Sequence, residues 1–286
     1  EAVLSFASGK EVKTEKWVPE TLIPSPSYAV KKNGSYTFPE DTVSYSISLT
    51  DLNTGHWQKT DASSCLTEYL KNNFPFIVQK KKADINISIN GFSSRLPDES
   101  YTINIGNAGI KISAGSETGA FYALQTLTQM TSGWKDRTVP CCEITDGPRF
   151  PYRGLHFDVS RHFRSKEFLM KQMDAMALLK LNRMHLHLTD GAGWRIEIAG
   201  YPRLTEYAAW RPQKKWTDWV EAGAKNCEYT LTGAYGGYYT AEDIKEILAY
   251  ANERHIEVIP EIEMPGHSEE VIRAYPELGC TGVGTS

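Results

Sequence analysis

The sequence predicts an α+β domain followed by a parallel α/β domain, and three observations support this prediction. Short segments of the first half alternate apolar with polar residues, and an amphipathic helical segment follows them. The second half instead alternates near-continuous apolar strands with amphipathic helices. Between the halves, Asp146-Gly147-Pro148-Arg149-Phe150-Pro151 contains two prolines and a glycine, which interrupt regular structure. We therefore place the first domain at residues 1–147 and the second at residues 148–286.

Composition excludes several classes of protein. The chain has 286 residues, of which 41% are hydrophobic and 23% charged, as in globular proteins rather than disordered or fibrous ones. Its 31 lysines and arginines against 35 aspartates and glutamates give a net charge of −4, without the basic footprint of a nucleic-acid binder. No segment approaches the roughly 20 apolar residues that a membrane helix needs. We therefore expect neither a nucleic-acid partner nor a membrane span.

Strands of the first half are predicted from alternation with a period of two residues. Residues 43–49 alternate apolar side chains with serine, and residues 84–90 alternate isoleucine with polar side chains. Residues 101–105 and 110–112 flank Gly106-Asn107-Ala108-Gly109, whose glycines and asparagine favour a hairpin turn. One helical face then follows, made by Ala120, Ala123, Leu124, Leu127 and Met130. Strands and a helix in separate blocks indicate an α+β domain.

The second half predicts the order strand, helix, strand, helix, strand. The strands are expected at residues 153–159, 183–188 and 256–262. Ser165 and Thr240 are predicted helix N-caps, and Asp243 makes the second start resemble a capping box. The two apolar helix faces are Leu169, Met173, Met176 and Leu179, and Ile244, Ile247, Leu248 and Ala251. Such units place parallel strands side by side through right-handed crossovers.

Two parallel architectures compete for the second half. A doubly wound nucleotide-binding sheet needs a glycine-rich phosphate loop after its first strand, and no glycine stands among residues 158–163. A (β/α)₈ barrel carries its chemistry at the carboxyl ends of its strands. The polar residues at these ends are Asp158, Ser160 and Arg161, then Thr189 and Asp190, then Glu261, Glu263 and His267. We therefore predict an α/β (β/α)₈ TIM-type barrel, of which about the first three strands are present.

Two of the candidate site features follow the first two barrel strands. Arg161 can donate forked hydrogen bonds to vicinal hydroxyls or a carboxylate, or it can form a structural ion pair with Asp158. His185 and His187 share one strand face, which is one way to begin a metal site. The other interpretation is that both are core histidines with satisfied ring nitrogens. The spacing alone leaves both pairs of alternatives open.

Two more candidates lie in turns after strands. Asp190 precedes Gly191-Ala192-Gly193, a flexible loop that would let a ligand approach the backbone closely, although a turn aspartate is the simpler interpretation. His267 ends Met264-Pro265-Gly266-His267, where a histidine can carry a proton or orient a carboxyl group. It can equally be the start of a helix.

Three long motifs carry a family resemblance. They are Tyr152-Arg153-Gly154-Leu155-His156-Phe157-Asp158-Val159-Ser160-Arg161-His162-Phe163, His185-Leu186-His187-Leu188-Thr189-Asp190 with Gly193-Trp194-Arg195-Ile196-Glu197-Ile198, and Ile259-Pro260-Glu261-Ile262-Glu263-Met264-Pro265-Gly266-His267. In this order they resemble the first three barrel strands of the family 20 glycoside hydrolases, the β-N-acetylhexosaminidases. The first half is similar to the α+β domain that precedes that barrel, so the resemblance covers nearly the whole chain.

The resemblance implies an exo-acting β-N-acetylhexosaminidase that removes terminal β-linked N-acetylhexosamine from glycans by retaining, substrate-assisted hydrolysis. Arg161 would bind the terminal sugar, and Asp190 and His267 would form a support chain behind a catalytic glutamate. It implies no metal and no cofactor. Because such glycans are extracellular, it also implies an exported protein, whether periplasmic, cell-surface or secreted.

The sequence departs from the family pattern in three places. Gly191 and Ala192 stand where the family often has an acidic residue and a glutamine, and Glu263 stands where it often has aspartate. The family's catalytic Asp-Glu pair follows glycines after the fourth strand, and the chain contains no Gly-Asp-Glu. Only about 136 residues follow residue 150, against roughly 250 for a complete barrel. We therefore expect residues 1–286 alone to be inactive.

Two other functions remain open from the sequence. The first is a metal-dependent barrel hydrolase that uses His185 and His187. The second is a non-catalytic glycan-binding relative that keeps Arg161 but lacks the downstream acidic pair. The choice between N-acetylglucosamine and N-acetylgalactosamine, the linkage and the oligomeric state also stay open.

Overall fold

The protein is described by a computed structural model that covers residues 21–51, 57–58, 64–74, 77–91, 99–133 and 135–280. It divides into two compact units, Glu1–Arg149 and Phe150–Ser286. No helix of the described residues is both long enough and apolar enough to span a bilayer.

The first unit is a mixed sheet with helices. Its strands are β1 (Tyr28–Thr37), β2 (Val43–Asp51), β3 (Trp57–Gln58), β4 (Ile77–Gln79), β5 (Ile85–Gly91), β6 (Tyr101–Gly106), β7 (Gly109–Ala114) and β8 (Thr138–Asp146). Its helices are α1 (Ser64–Asn73) and α2 (Glu117–Met130). The strand order is β1-β8-β6-β7-β5-β2-β3, and β4 also pairs with β2. This confirms the predicted α+β class.

The predicted hairpin and helix of the first unit are both present. Strands β6 and β7 pair antiparallel, with Ile105 opposite Ile110. Gly109 has a φ of +134°, and a Cβ there would lie 2.9 Å from the carbonyl oxygen of Asp84, so only glycine fits this turn. Helix α2 contacts β5, β6 and β7, and its buried face includes Phe121, Leu124 and Leu127. The alternating isoleucines of the strands form the core of the described first unit.

The second unit is built on three parallel strands. Its strands are β9 (Gly154–Asp158), β10 (Arg183–His187), β11 (Thr189–Asp190), β12 (Gly193–Trp194), β13 (Trp210–Arg211), β14 (Tyr235–Gly236) and β15 (Glu257–Glu261). Its helices are α3 (Lys166–Leu178), α4 (Arg203–Glu206), α5 (Trp216–Glu221), α6 (Ala241–Asn252) and α7 (Glu269–Ala274), with a short 3₁₀ turn at Pro276–Leu278. Strands β9 and β15 both pair parallel with β10, so the predicted βαβ order is confirmed.

Both predicted helix starts are capped as expected. The Ser165 hydroxyl accepts a hydrogen bond from the backbone N–H of Phe168, and Thr240 and Asp243 form a capping box. Two predicted core positions are wrong. Leu179 is 39% exposed because α3 ends before it, and Leu248 is 47% exposed because it lies one residue, or about 100°, around the helix from buried Ile247.

The helices cover one face of the three-stranded sheet. Met184 and Leu186 of β10 are buried with Leu169 and Met173 of α3 and with Ile247 of α6. Because side chains alternate along a strand, His185 and His187 point to the other face of the sheet. That second face carries the polar groups described below.

Candidate active site

The carboxyl ends of the three parallel strands lie in one register row. Asp158 of β9 is opposite His187 of β10, which is opposite Glu261 of β15. The segments that follow these residues therefore start from the same edge of the sheet. Arg161, Asp190 and His267 all come from these segments, as the strand-end pattern predicted.

Arg161 makes two ion pairs from one guanidinium. Its Nη1 lies 2.6 Å from Oδ2 of Asp158, and its Nη2 lies 2.6 Å from Oδ2 of Asp190. Its backbone N–H also donates to Oδ1 of Asp158, at 2.9 Å. The structural ion pair with Asp158 is therefore present, but it leaves a second edge of the guanidinium directed to Asp190.

Asp190 is the point at which the three strand ends meet. Its Oδ2 contacts Nη2 of Arg161, Nε2 of His187 at 3.3 Å and Nδ1 of His267 at 3.6 Å. The Asp190 side chain is only 10% exposed, so these charged contacts are shielded from solvent. An anionic oxygen shared by one guanidinium and two imidazoles is well suited to hold protons and charge in fixed positions.

His267 is held in a tight turn after β15. Its φ is +50°, in the left-handed region, and its Nδ1 lies 3.4 Å from Oε1 of Glu263 as well as near Asp190. The backbone N–H of Glu263 donates to Oγ1 of Thr189 at 2.9 Å, which ties this turn to the end of β10. The imidazole therefore stands between two carboxylates from neighbouring strand ends.

His187 links Asp190 to Glu261. Its Nδ1 lies 2.9 Å from Oε1 of Glu261, while its Nε2 contacts Asp190. Burial alone would lower the pKa of His187, but hydrogen bonds with Glu261 and Asp190 raise that pKa above its ordinary value. Burial alone would raise the pKa of Glu261, but hydrogen bonds with His187 and Glu263 and the nearby imidazoles bring it to about 2.

Asp158 and Arg161, at the end of the first strand, stabilise each other's charged forms. Burial works against ionisation of Asp158, but hydrogen bonds from the backbone and side chain of Arg161 hold its pKa below the ordinary value. Burial likewise opposes the charge of Arg161, and the carboxylates of Asp158 and Asp190 nevertheless raise the pKa of its guanidinium. Both groups are therefore charged throughout the neutral pH range.

A buried arginine fixes the backbone behind the site. Arg195 is fully buried, and among the described residues its guanidinium donates to backbone carbonyl oxygens, those of Val159, Ser160, Ala192, Ala209 and Gly237. Burial lowers the pKa of Arg195 to about 10, which leaves it charged at neutral pH. It thereby joins the segments that follow β9 and β10.

The glycines after Asp190 serve this packing rather than a ligand. A Cβ on Gly193 would lie 2.2 Å from Cζ of Arg195, and one on Gly191 would lie 3.0 Å from Oε2 of Glu269. Residues 191–193 are all buried. The expectation that this loop lets a ligand approach its backbone is therefore wrong, because protein side chains already occupy that space.

The sequence did not predict the contacts of two groups of the site. His187 was a candidate metal ligand or core histidine and Glu261 a polar strand-end residue, and the structure shows that His187 contacts both Asp190 and Glu261. His185, the other histidine of that pair, has its Nε2 2.6 Å from Oε2 of Glu261. Two sets of the described residues offer ligand atoms within 4.8 Å of one another: His156, His187 and Glu261, and His187, Asp190 and His267.

Comparison with known proteins places both units in one family. The sequence pattern of "Glycosyl hydrolase family 20, domain 2" matches residues 20–147, and that of "Glycosyl hydrolase family 20, catalytic domain" matches residues 150–286. The chain is 42% identical over 200 residues to a beta-hexosaminidase of Porphyromonas gingivalis, and the aligned segment covers 66% of the chain and 24% of that protein. It is 35% identical over 260 residues to a beta-hexosaminidase of Vibrio furnissii, and the aligned segment covers 90% of the chain and 39% of that protein.

Solved structures agree with these matches. The beta-N-acetylhexosaminidase of Bacteroides fragilis superposes with a TM-score of 0.76 at 29% identity, over 93% of this chain and 49% of that one. Fold and site therefore define a chain with an α+β domain followed by strands of a TIM-type barrel, as predicted. The chain belongs to glycosyl hydrolase family 20. It spans about a quarter to two fifths of the length of the two curated relatives.

Proposed function

We propose that the protein, at its natural length, is an exo-acting β-N-acetylhexosaminidase that removes terminal β-linked N-acetylhexosamine from glycans. Family membership supports the reaction class, and one geometric observation supports the site. Arg161, His187 and His267, which come from three different strand ends, all contact Oδ2 of Asp190. This convergence gives a charged, partly buried site at the edge of the sheet where barrel enzymes carry their chemistry.

The proposed mechanism is retaining and substrate-assisted. The acetamido carbonyl oxygen of the sugar attacks its own anomeric carbon while the glycosidic bond breaks, and an oxazolinium-like intermediate forms. Water then opens that intermediate from the opposite side, so two inversions restore the β configuration. Such enzymes are exceptions to the usual scheme of two protein carboxylates. The family resemblance assigns protonation of the leaving oxygen and orientation of the acetamido group to an Asp-Glu pair after the fourth strand.

The residues of this chain would bind the sugar and support the acid. Asp158 and Asp190 orient the Arg161 guanidinium, so it would donate to sugar hydroxyls without first losing side-chain freedom. His267 and Asp190 would form the support chain behind the glutamate, because Nδ1 of His267 lies 3.6 Å from Oδ2 of Asp190 and the pair can help to position the glutamate as it gives up its proton. These steps need no metal or cofactor.

The proposal is tested with chromogenic β-N-acetylglucosaminides and the protein at its natural length. We expect hydrolysis with a β-configured first product, observed by NMR of the anomeric proton. Fluorination of the acetamido methyl group should lower kcat progressively, because the carbonyl oxygen becomes a weaker nucleophile. Binding without hydrolysis would instead favour the non-catalytic relative, and kcat independent of fluorination would exclude assistance by the substrate.

A matched pair of variants checks the site itself. Asp190→Asn removes the charge shared by the three strand ends and should reduce kcat strongly. Asp174→Asn is the control, since Asp174 pairs with Tyr250 and Arg254 on the helical side of the unit and should leave kcat near wild type. Equal effects of the two substitutions would contradict the assignment.

The natural substrates and location follow from the same proposal. Glycans that end in N-acetylhexosamine are abundant outside cells, so we propose that the protein is exported. Fractionation of the producing cells into cytoplasm, envelope and medium, with activity measured in each fraction, tests this directly. Activity confined to the cytoplasm would contradict it.

A further inference from the structure

Three histidines and one glutamate meet on the face of the parallel sheet that lies opposite helices α3 and α6. We call His156, His185, His187 and Glu261 the Glu261 cluster. Nε2 of His156 lies 3.4 Å and Nε2 of His185 lies 2.6 Å from Oε2 of Glu261, while Nδ1 of His187 lies 2.9 Å from Oε1. The proposed hydrolysis uses neither His156 nor His185.

Strand pairing fixes the backbone positions from which this cluster arises. His156 and His185 are directly opposite each other in the β9–β10 pair, and His187 and Glu261 are directly opposite in the β10–β15 pair. The four side chains therefore arise from three hydrogen-bonded neighbouring strands rather than from loops. Sites built on such elements hold their ligand atoms more closely in place than sites built on loops.

Hydrogen bonding satisfies the cluster only in part. A neutral imidazole has a single N–H, so His187 cannot donate to both Glu261 and Asp190 unless it carries two protons. The 3.4 Å separation between His156 and Glu261 is longer than a normal hydrogen bond. In its neutral form, His187 therefore directs the lone pair of one ring nitrogen at one of the two carboxylates, and a metal ion bound at that nitrogen would remove this mismatch.

The same geometry suits a tetrahedral metal ion. Zn²⁺ binds histidine nitrogen and carboxylate oxygen at about 2.0–2.1 Å, so its ligand atoms stand roughly 3.3–3.4 Å apart. One ligand atom each from His156, His187 and Glu261 lies within 4.8 Å of the others, so convergence requires only small side-chain shifts. Histidine and carboxylate in this number are typical ligands of Zn²⁺ with an open fourth position.

An outer partner for such an ion is also in place. Histidine ligands of metals usually donate their other ring N–H to a carboxylate, which fixes the tautomer and strengthens the ligand. Here Nε2 of His187 lies 3.3 Å from Oδ2 of Asp190 while Nδ1 faces Glu261. Coordination through Nδ1 would leave the Nε2–H free to donate to Asp190.

We propose that the Glu261 cluster binds a divalent transition metal of the Zn²⁺ type, through His156, His187 and Glu261 with His185 adjoining, and that the bound ion inhibits the enzyme. We expect inhibition because the bound ion would strengthen the hydrogen bond from His187 to Asp190. That would weaken the contact of Asp190 with His267, which the proposed hydrolysis uses to support the catalytic glutamate. This second part rests on the proposed hydrolysis, whereas binding of the metal does not.

The experiment measures binding first, without substrate. The tag-free protein at its natural length is titrated with Zn²⁺ by calorimetry and with Co²⁺ by visible absorption, which reports tetrahedral coordination. We expect one ion per chain. His156→Met should weaken binding about 10- to 100-fold or more, since loss of even an outer partner commonly costs that much. His162→Met, a matched change outside the cluster, should bind as the wild type does.

Further variants separate the competing site. His187, Asp190 and His267 form the other candidate set, so His267→Met should leave Zn²⁺ affinity unchanged if the Glu261 cluster is the site. Absence of binding by the wild type, or loss with His267→Met and not with His156→Met, would overturn the proposal. Glu261→Gln provides a second test of the cluster, with circular dichroism to verify folding.

Inhibition is then measured on the same proteins. Zn²⁺ should lower kcat of the wild type and of His162→Met, and it should have little effect on His156→Met. Wild-type inhibition that persists unchanged in His156→Met would refute inhibition through this cluster. A protein that binds Zn²⁺ through His156 but hydrolyses no β-N-acetylhexosaminide would contradict the proposed function and leave the metal site intact.

Discussion

Nη2 of Arg161 lies 2.6 Å from Oδ2 of Asp190, and this ion pair joins the segment after the first barrel strand to the segment after the second. The same arginine pairs with Asp158 at the end of its own strand. Its guanidinium is thus oriented by two carboxylates before any ligand arrives. Orientation of this kind reduces the entropy lost when a side chain forms hydrogen bonds to a ligand.

Substitution of Arg161 should therefore weaken sugar binding. In Arg161→Ala we expect a raised KM with a smaller change in kcat, because hydrogen bonds to sugar hydroxyls act in both the ground state and the transition state. Steady-state kinetics on a chromogenic β-N-acetylglucosaminide measures the effect. Arg161→Lys keeps the charge but loses the two-edged geometry, so it should lie between wild type and Arg161→Ala. Kinetics unchanged in both variants would remove Arg161 from the binding site.

Asp190 and His267 should act as one unit. Their contact, at 3.6 Å between Oδ2 and Nδ1, means that each is expected to support the catalytic glutamate through the other. Residues in one network do not lose activity additively. Asp190→Ala, His267→Ala and the double variant should therefore have similar kcat values. If the double variant shows the product of the two single losses, the residues work independently.

The strand-end residues were predictable from sequence because parallel strands expose their carboxyl ends at one edge. Arg161, Asp190 and His267 could be selected in this way, but the distances between their side chains could not be predicted from the sequence. The His187–Glu261 contact depends on the register of β10 against β15. The sequences of the two strands do not show which residues lie opposite each other, so this contact could not be predicted. Arg195 was also missed, since a guanidinium that is satisfied by backbone carbonyls has no charge partner to reveal it.

Strands β1 and β8 of the first unit were not predicted, because each contains residues that disfavour a strand. Strand β1 contains Asn33-Gly34, a pair typical of turns, and its pairing with β8 changes register between Lys31 and Ser35. Strand β8 contains Pro140, which argues against a strand because proline donates no ladder hydrogen bond. In both strands the pairing with neighbours overrides the local preference. The regular alternation of β5, β6 and β7 carries no such conflict, and these strands were found.

Gly193 should be intolerant of any side chain. A Cβ there would overlap the Arg195 guanidinium, which is buried and held by backbone carbonyls and so cannot move away cheaply. Gly193→Ala should therefore reduce the free energy of unfolding by about 1–3 kcal/mol, as is usual for overpacking. Gly266→Ala is the control, because no atom lies within 4 Å of the Cβ it would add. Thermal unfolding of the two variants should differ clearly, and equal melting temperatures would contradict the tight packing of Arg195.

Glu270 is a buried carboxyl group of α7 whose two oxygens have no hydrogen-bond partner among the described residues. Burial, together with the negative charges of Asp190 and Glu269, raises its pKa to about 8. An unfolded chain would ionise this group near its ordinary value of 4.5. Between these two values the folded protein holds a proton that the unfolded chain has released, so stability falls as pH rises through that window.

Glu270→Gln should remove this pH dependence, because the amide keeps the shape of the protonated acid and does not ionise. Relative to wild type, the free energy of unfolding of the variant should rise by about 1–3 kcal/mol between pH 5 and pH 7.5, given roughly 1.4 kcal/mol for each pKa unit. Above pH 8 the difference should level off. Denaturant unfolding at several pH values measures it, with Glu277→Gln, an exposed carboxyl group that does not contribute to the shift of Glu270, as the control. A stability difference that is constant from pH 5 to pH 8 would mean that Glu270 ionises alike in the folded and unfolded chain.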